Sequence, residues 1–280
     1  MNRRQVFLSH KQYHDFLESL AGEEAHWQTH SMMADSPEQE ASLKASNVRS
    51  ARLHHLILGY TGGAPMEQLA RELDGVIEGY EDYQRKMGVY EERPDIAPLN
   101  IEDYPDEYEE YVQVISLCIL LQRSDLLPRL VLLQDRAGFG GQDTLIEDLL
   151  KAYLPDREDV DQWFHDVSTP LIRAIYTEDP KEPRELLVEY CNQWYETFEQ
   201  APWHDSHLDG DEGSYFGYWA FEAAAVAYLF GLDDSAVTHM VFPGRCSNTP
   251  GALPRRRCPN SWRSTDSPVY RSFLKVMHCP

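Results

Sequence analysis

The sequence has few positive charges for its length, and this shortage excludes several classes of partner. Its 280 residues include 25 Lys and Arg against 47 Asp and Glu, a formal net charge of -22 at pH 7. A field of this sign repels nucleic acid and anionic membranes and attracts basic proteins. We therefore expect no direct nucleic-acid binding, no membrane binding, and a partner with a basic surface.

Long hydrophobic runs and a cysteine framework are also lacking. No stretch of roughly 18 apolar residues is present, and the Met1-Asn-Arg-Arg4 start lacks the apolar core of a signal peptide, so we expect a cytoplasmic protein. The cysteines number five, which is odd, and Cys118 and Cys191 lie in apolar helical patterns. This usage favours reduced core thiols over a set of disulfides.

The motifs of common catalytic and cofactor sites are missing as well. The sequence contains no phosphate-binding loop, dinucleotide-binding glycine motif, GxSxG or CxxC, and Gly138-Phe-Gly-Gly141 is not followed by Lys-Ser or Lys-Thr. The acidic residues from Asp205 to Glu212 do not follow the order of an EF-hand loop. We predict no catalytic residue, no metal site and no cofactor.

A metal-dependent hydrolase stays open as an alternative because His-Asp dipeptides bind metals in the HD-like phosphohydrolases. The sequence has three of them, at His14-Asp15, His165-Asp166 and His204-Asp205. That class also needs an earlier His and a later Asp on particular neighbouring helices, and nothing in the sequence fixes such an arrangement. Eleven histidines among 47 acidic residues also produce such dipeptides by chance.

Apolar residues recur at helical spacing along most of the chain, and no segment alternates with the period of a strand. The sequence predicts an all-α fold, a two-part multi-helix array. Ser36-Pro-Glu-Gln39 has the pattern of a capping box with proline in the first turn, and Pro65 opens another helix. The predicted helices span 3–30, 37–58, 65–88, 106–122, 124–136, 142–153, 163–177 and 183–200.

The most apolar run lies between Gly217 and Gly231 and carries a single charge, Glu222. It predicts a buried central helix over about 216–230, with Gly231 as a left-handed cap. A carboxylate in such a helix is either a catalytic acid or a structural residue paired with an arginine, a histidine or a tyrosine hydroxyl. We favour the structural interpretation, because no second carboxylate or histidine lies one helical turn away.

The same run, YFGYWAFEAAAVAYLFGLDDS over 215–235, resembles the C-terminal domain of the PoNi-type immunity proteins. These bacterial proteins neutralise polymorphic toxins, many of which are nucleases. The resemblance implies an all-helical inhibitor that binds its toxin and has no enzymatic activity. It also implies an N-terminal helical domain before the motif.

We predict three parts of the chain. Residues 1–158 form an N-terminal helical domain, and residues 159–239 form the C-terminal immunity-type domain, with the polar segment 155–160 between them. Residues 240–280 differ from both: they hold seven basic residues and one acidic residue, which leaves 18 basic and 46 acidic residues in 1–239. This tail also contains three of the five cysteines and six of the 17 prolines.

Three interpretations of the tail remain open. It is the product of a frameshift near 242–245, a basic arm that binds nucleic acid or the protein's own acidic face, or a zinc site formed by Cys246, Cys258, His278 and Cys279. The frameshift is favoured, because the tail does not continue the helical pattern of the family. The zinc site is disfavoured, since the first two cysteines are not spaced as a CxxC knuckle.

Two acidic segments that also contain aromatic residues are the candidate binding surface. Carboxylates steer a basic partner and aromatic side chains supply contact energy, so these segments suit a toxin-binding face. The alternatives are two ordinary solvated acidic surfaces, or a helical scaffold with another basic partner. The predicted toxin-binding residues are Asp103, Asp106, Glu107, Glu109, Glu110, Asp205, Asp209, Asp211 and Glu212.

Overall fold

The computed structural model of this chain describes residues 3–210, 214–235 and 237–243. Within these ranges the secondary structure is helical, and no strand occurs. The all-α prediction is therefore confirmed. The helices are α1 (His10–Thr29), α2 (Pro37–Gly62), α3 (Met66–Tyr90), α4 (Pro105–Leu120), α5 (Leu127–Asp135), α6 (Thr144–Lys151), α7 (Thr169–Tyr176), α8 (Glu182–Thr197) and α9 (Phe221–Phe230).

The chain forms two compact units that alternate along the sequence. Unit 1 takes its described residues from Met1–Leu99, Leu121–Gly138 and Ala201–Tyr218, and therefore contains α1, α2, α3 and α5. Unit 2 takes its described residues from Asn100–Leu120, Phe139–Gln200 and Trp219–Pro280, and contains α4 and α6 to α9. The predicted limits 1–158 and 159–239 stay a prediction.

Unit 1 is built on the antiparallel pair α2 and α3. The apolar side of α3 is buried at Leu69, Leu73 and Ile77, where it meets the apolar side of α2. The Arg49 guanidinium lies over the Tyr80 ring at 4.9 Å from its centroid, so a buried cation is covered by an aromatic face. Helix α1 packs on α2 without burying any residue fully.

Two helix starts in unit 1 show which features of a helix start the sequence predicts correctly and which it does not. The Ser36 hydroxyl accepts the Gln39 backbone N–H at 3.1 Å, as the capping pattern predicts, but the Gln39 side chain accepts the Asp35 N–H instead of returning to Ser36. The first helix begins at His10 behind the cap residue Ser9, not at residue 3 as predicted. Residues 3–8 have other partners, since the Arg4 N–H donates to the Thr61 carbonyl at 2.8 Å.

Unit 2 surrounds α9, which contacts α4, α6, α7 and α8. The central helix of the sequence prediction exists, but it begins at Phe221 and not at 216. The cause lies in Gly217, whose φ of 126° is incompatible with a right-handed helix. At the other end Gly231 adopts the predicted left-handed cap, with φ 64° and its N–H bonded to the Ala227 carbonyl.

The segment that follows α6 is tied back onto that helix. The Thr144 N–H donates to the Gln162 carbonyl at 2.8 Å, and its hydroxyl donates to the Val160 carbonyl at 2.9 Å. The Arg157 guanidinium forms two bonds to the Glu147 carboxylate, of 2.7 and 2.5 Å, with both side chains largely out of solvent. Residues 155–162 are therefore an ordered part of unit 2.

The fold tests several other predictions, and some predictions concern residues that the structure does not describe. Cys118 and Cys191 are buried thiols outside any disulfide, as predicted. None of the helices in the described ranges is long and apolar enough to cross a membrane. Residues 244–280 lie outside the described residues, and with them the proposed zinc ligands and nearly all of the basic tail. The frameshift hypothesis stays a prediction.

The buried ion pair between Arg157 and Glu147 yields a stability prediction. Among the described residues, substituting Arg157→Ala leaves the buried Glu147 carboxylate with the Gly141 N–H as its remaining hydrogen-bond donor. We expect a loss of about 3 kcal/mol in the free energy of unfolding, because an unpaired buried charge is costly. The exposed pair of Arg85 and Asp82 gives the control, since Arg85→Ala should cost less than about 1 kcal/mol. Urea denaturation of both variants measures the difference, and equal losses would contradict the prediction.

Candidate functional site

The first acidic segment forms the turn before α4 and the first turns of that helix. Glu102 and Asp103 are exposed, Asp106 is half-buried, and Tyr104 is 53% exposed among them. In the described part of the chain, no cation forms an ion pair with any of these three carboxylates. Their charges at the start of a helix are stabilised by its dipole. The segment thus carries negative charge that the protein does not itself neutralise.

Short-range hydrogen bonds hold this acidic turn in one conformation. The Asn100 backbone N–H donates to the Glu107 carboxylate at 2.5 Å, and the Asn100 side-chain amide donates to Asp103 at 2.9 Å. His165 is bonded through its Nε2 to the Ile101 carbonyl at 2.9 Å. Of the predicted residues, Glu107 therefore serves partly as an internal acceptor, whereas Asp103 and Asp106 stay accessible.

The opposite face of α4 is buried and also polar. The Tyr108 hydroxyl lies 3.1 Å from both the Asp143 carboxylate and the Ser168 hydroxyl. Asp143 in turn caps α6 by accepting the Ile146 N–H at 2.9 Å. One side chain of α4 thus bonds to the start of α6 and to the residue before α7, which fixes the position of α4 within unit 2.

Glu109 lies on this buried face, next to a second carboxylate from α9. It accepts the Gln113 side-chain amide at 2.8 Å, and the same amide donates to the Trp219 carbonyl at 3.1 Å. Burial raises the pKa of Glu109 well above its ordinary value, and the negative charges of Glu222 and Asp106 raise this pKa further. Unlike Asp103 and Asp106, the predicted binding residue Glu109 faces the protein interior.

Glu222 has the structural partner that the sequence suggested. The Tyr190 hydroxyl donates to its carboxylate at 2.7 Å. Burial raises the pKa of Glu222 to about 7, although its own backbone N–H, Tyr190 and Trp194 favour the charged form. The two carboxylates, Glu109 and Glu222, are enclosed by α4, α8 and α9 and are out of contact with solvent, so a substrate cannot reach them in this conformation.

The second acidic segment belongs to unit 1. Asp205 and Asp209 are exposed at the two ends of a 3₁₀ turn, Ser206–Leu208. Asp205 has a left-handed backbone with φ 59° and lies 3.7 Å from the His204 ring nitrogen. Asp211 and Glu212 lie outside the described residues. The described part of this segment therefore contains two of the four predicted carboxylates, and the prediction for the other two stays a prediction.

An aromatic cluster beside this turn was missed by the sequence analysis. The Tyr218 hydroxyl lies 2.8 Å from the His207 Nδ1, and the His207 ring contacts the Phe7 ring in a tilted arrangement with 4.6 Å between centroids. The Gln5 side chain bonds both the N–H and the carbonyl of Tyr218, at 3.0 and 2.5 Å. No local pattern connects residues 5–7 with 207–218, so only the tertiary fold shows this cluster.

A groove in unit 1 lies between α1, α2 and α3. Its volume is about 570 Å³, and its walls combine charged side chains with uncharged residues such as Trp27 and Val48. The cations on these walls are paired with acids, as Lys44 is with Glu40 at 2.8 Å and Arg52 is with Glu24 at 2.7 Å. The groove therefore presents little unpaired charge to a ligand.

The His-Asp dipeptides do not assemble into a metal site in the described ranges. No group of three or more His, Cys, Asp or Glu side chains there is placed to hold a metal ion. The Asp15 carboxylate bonds Lys11 at 2.9 Å, and His165 is occupied with the Ile101 carbonyl. The described residues thus give no support to the HD-like alternative.

The buried carboxyls predict how stability depends on pH. Because the pKa of Glu222 is raised from 4.5 to about 7, its contribution to stability is fully present below about pH 4.5 and is lost as the pH rises to about 7. The raised pKa values of Glu109 and Asp148 act in the same direction. Glu222→Gln should flatten this decline and stabilise the protein at pH 8 by on the order of 2 kcal/mol.

Urea denaturation from pH 5 to 8 measures this effect. Glu102→Gln is the control, because this side chain is exposed and its removal should leave the pH dependence unchanged. If the Glu222→Gln curve runs parallel to the unmodified protein over the whole range, Glu222 is charged in the native state and the account of its burial is wrong.

The comparisons with known proteins agree with this fold. A solved structure titled "The Crystal Structure of Protein PA2201 from Pseudomonas aeruginosa" is similar to 86% of this chain and 89% of its own chain, with a TM-score of 0.63. The sequence identity is 19%, so this similarity shows the fold alone. No curated protein matches. The family model described as "PoNe immunity proteins (PoNi), C-terminal" matches residues 141–244. The resemblance of the 215–235 motif is thereby confirmed, since residues 141–244, which include it, match the model of the PoNi C-terminal domain.

Proposed function

We propose that this protein is an immunity protein that binds a cognate bacterial toxin and neutralises it stoichiometrically, without turnover. The observation that carries the proposal is the match of residues 141–244 to the PoNi C-terminal domain. The binding residues that we propose are accessible carboxylates of the two acidic segments, Asp103 and Asp106 in unit 2 and Asp205 and Asp209 in unit 1. Glu109 supports the first segment from within the core.

The charges of the protein suit a nuclease as the toxin. A nuclease binds phosphates through a basic groove, and residues 1–239 of this chain carry 46 acidic against 18 basic residues. Carboxylates on a rigid turn can occupy the positions of those phosphates, as Asp103 does where Asn100 holds it at 2.9 Å. The exposed Tyr104 ring then supplies apolar contact area between the charges. In this mechanism the inhibitor blocks access to the nucleic acid.

Growth rescue tests the function itself. The toxin encoded beside the gene is expressed in a sensitive host, with and without this protein, and survival is followed. Rescue together with a co-purifying complex is the expected result. Absence of both, for the chain as given and for a chain with its tail restored to the family's reading frame, would contradict the immunity function.

Binding kinetics with the purified toxin, measured at several salt concentrations, locate the acidic surface through a matched pair of variants. Asp103→Lys/Asp106→Lys reverses two carboxylates at the start of α4 that form no ion pair in the described residues, and Glu38→Lys/Glu67→Lys reverses two in the first turns of α2 and α3. Both variants change the net charge by the same amount. We expect the first to lower the association rate about 10-fold or more at low salt and to weaken its salt dependence. Equal rates for the two variants would remove the α4 segment from the interface.

A further inference from the structure

An exposed apolar patch lies beside the second acidic segment in unit 1. It consists of Val6, Phe7, His207 and Leu208, and we call it the Phe7 patch. Val6 and Leu208 are 74% and 69% exposed, and Phe7 is 37% exposed. The contact between the Phe7 and His207 rings, 4.6 Å between centroids, brings the two chain segments together. Large apolar side chains that a protein presents in a cluster indicate an interaction surface.

The fold holds the first half of this patch at the surface. Gln5 and Leu8, which flank Val6 and Phe7, are both buried. The Gln5 side chain is bonded to Tyr218, and the backbone N–H of the preceding residue, Arg4, donates to the Thr61 carbonyl at 2.8 Å. Because the chain is anchored on both sides, Val6 and Phe7 are displayed in a fixed position and do not belong to a fraying terminus.

The second half of the patch is held in the same way. Ser206 is buried, and both the backbone N–H and the ring of the next residue, His207, contact the Tyr218 hydroxyl, at 3.2 and 2.8 Å. The Leu208 N–H closes the turn onto the Asp205 carbonyl at 2.8 Å. A preorganised apolar group loses little entropy on binding, so these side chains suit an interface anchor.

The charge around the patch indicates which partner it fits. Asp205 and Asp209 are exposed on either side of Leu208 along the chain. The nearby cations are directed elsewhere: Arg3 donates to the Leu8 carbonyl at 2.8 Å, and Arg4 lies over the Tyr60 ring at 4.2 Å. Apolar side chains bordered by exposed carboxylates complement an apolar side chain bordered by Lys or Arg.

We propose that the Phe7 patch, with Asp205 and Asp209 at its border, is the apolar anchor of the toxin interface. It receives an apolar side chain that lies between basic residues on the toxin. This inference rests on the proposed immunity function and adds to it a contact region that charge alone does not reveal. The carboxylates steer the encounter, and burial of Val6, Phe7 and Leu208 holds the complex together.

Surface plasmon resonance with the purified toxin encoded beside the gene tests this anchor on the full chain. Val6→Ser/Leu208→Ser removes the apolar contact, and Met33→Ser/Val89→Ser, at two other exposed positions of unit 1, is the matched control. We expect the first variant to raise Kd at least about 10-fold, mainly through faster dissociation, and the control to bind as the unmodified protein does. Thermal denaturation should show equal midpoints for all three.

A second pair separates charge from apolar contact. Asp205→Asn/Asp209→Asn should lower the association rate and its salt dependence, with little change in dissociation, because asparagine keeps the left-handed backbone of Asp205. If Val6→Ser/Leu208→Ser binds as tightly as the unmodified protein, the anchor is refuted and the immunity function stands. If the unmodified protein does not bind this toxin at all, the function and the anchor are both refuted.

Discussion

The arrangement of unit 2 depends on the polar bonds made by the buried face of α4. Tyr108 reaches the cap residue of α6 and Ser168 before α7, and Gln113 reaches the Trp219 carbonyl just before α9. Each of these hydrogen bonds restricts both the distance and the angle between its two groups, since hydrogen bonds weaken steeply when they are bent or stretched. A core of aliphatic contacts alone would allow α4 to slide or rotate. Here the register of α4 is specified, and the acidic turn before it is specified at the same time.

The polar interior of unit 2 lowers the free energy of unfolding at neutral pH, because it contains buried carboxyl groups. Glu109 and Glu222 lie close enough for the charge of one to raise the pKa of the other, in surroundings that already disfavour charge. Burial also raises the pKa of Asp148 to about 7. The buried carboxyls of unit 2 therefore lower its stability at neutral pH, while the polar bonds define the arrangement of α4 and α9. Unit 1 also contains a buried charged group, the Arg49 guanidinium, and there the aromatic ring of Tyr80 covers the cation.

The sequence was sufficient where the signal is local. Helical spacing, the Ser36 cap and the Gly231 cap all depend on residues within one or two turns, and the structure has them as predicted. The start of α9 was placed wrongly, because apolar composition does not reveal that Gly217 breaks the helix at φ 126°. The sequence also did not reveal which acidic side chains are exposed. Asp106 and Glu109 are three positions apart in one acidic run, yet Asp106 is accessible and Glu109 is buried next to Glu222. The Phe7 patch joins segments 200 residues apart in the chain, and no local pattern predicts it.

The central claim is that preorganised acidic and apolar surfaces bind the toxin, and hydrogen–deuterium exchange of the complex tests it most directly. Exchange of the full chain is compared with and without the toxin encoded beside the gene. The account predicts slower exchange in residues 100–110 and in residues 5–8 and 205–209, with α2 and α3 unchanged at their exposed starts. A complex that forms without slower exchange in any of these segments would show that the toxin binds elsewhere, and would contradict the account.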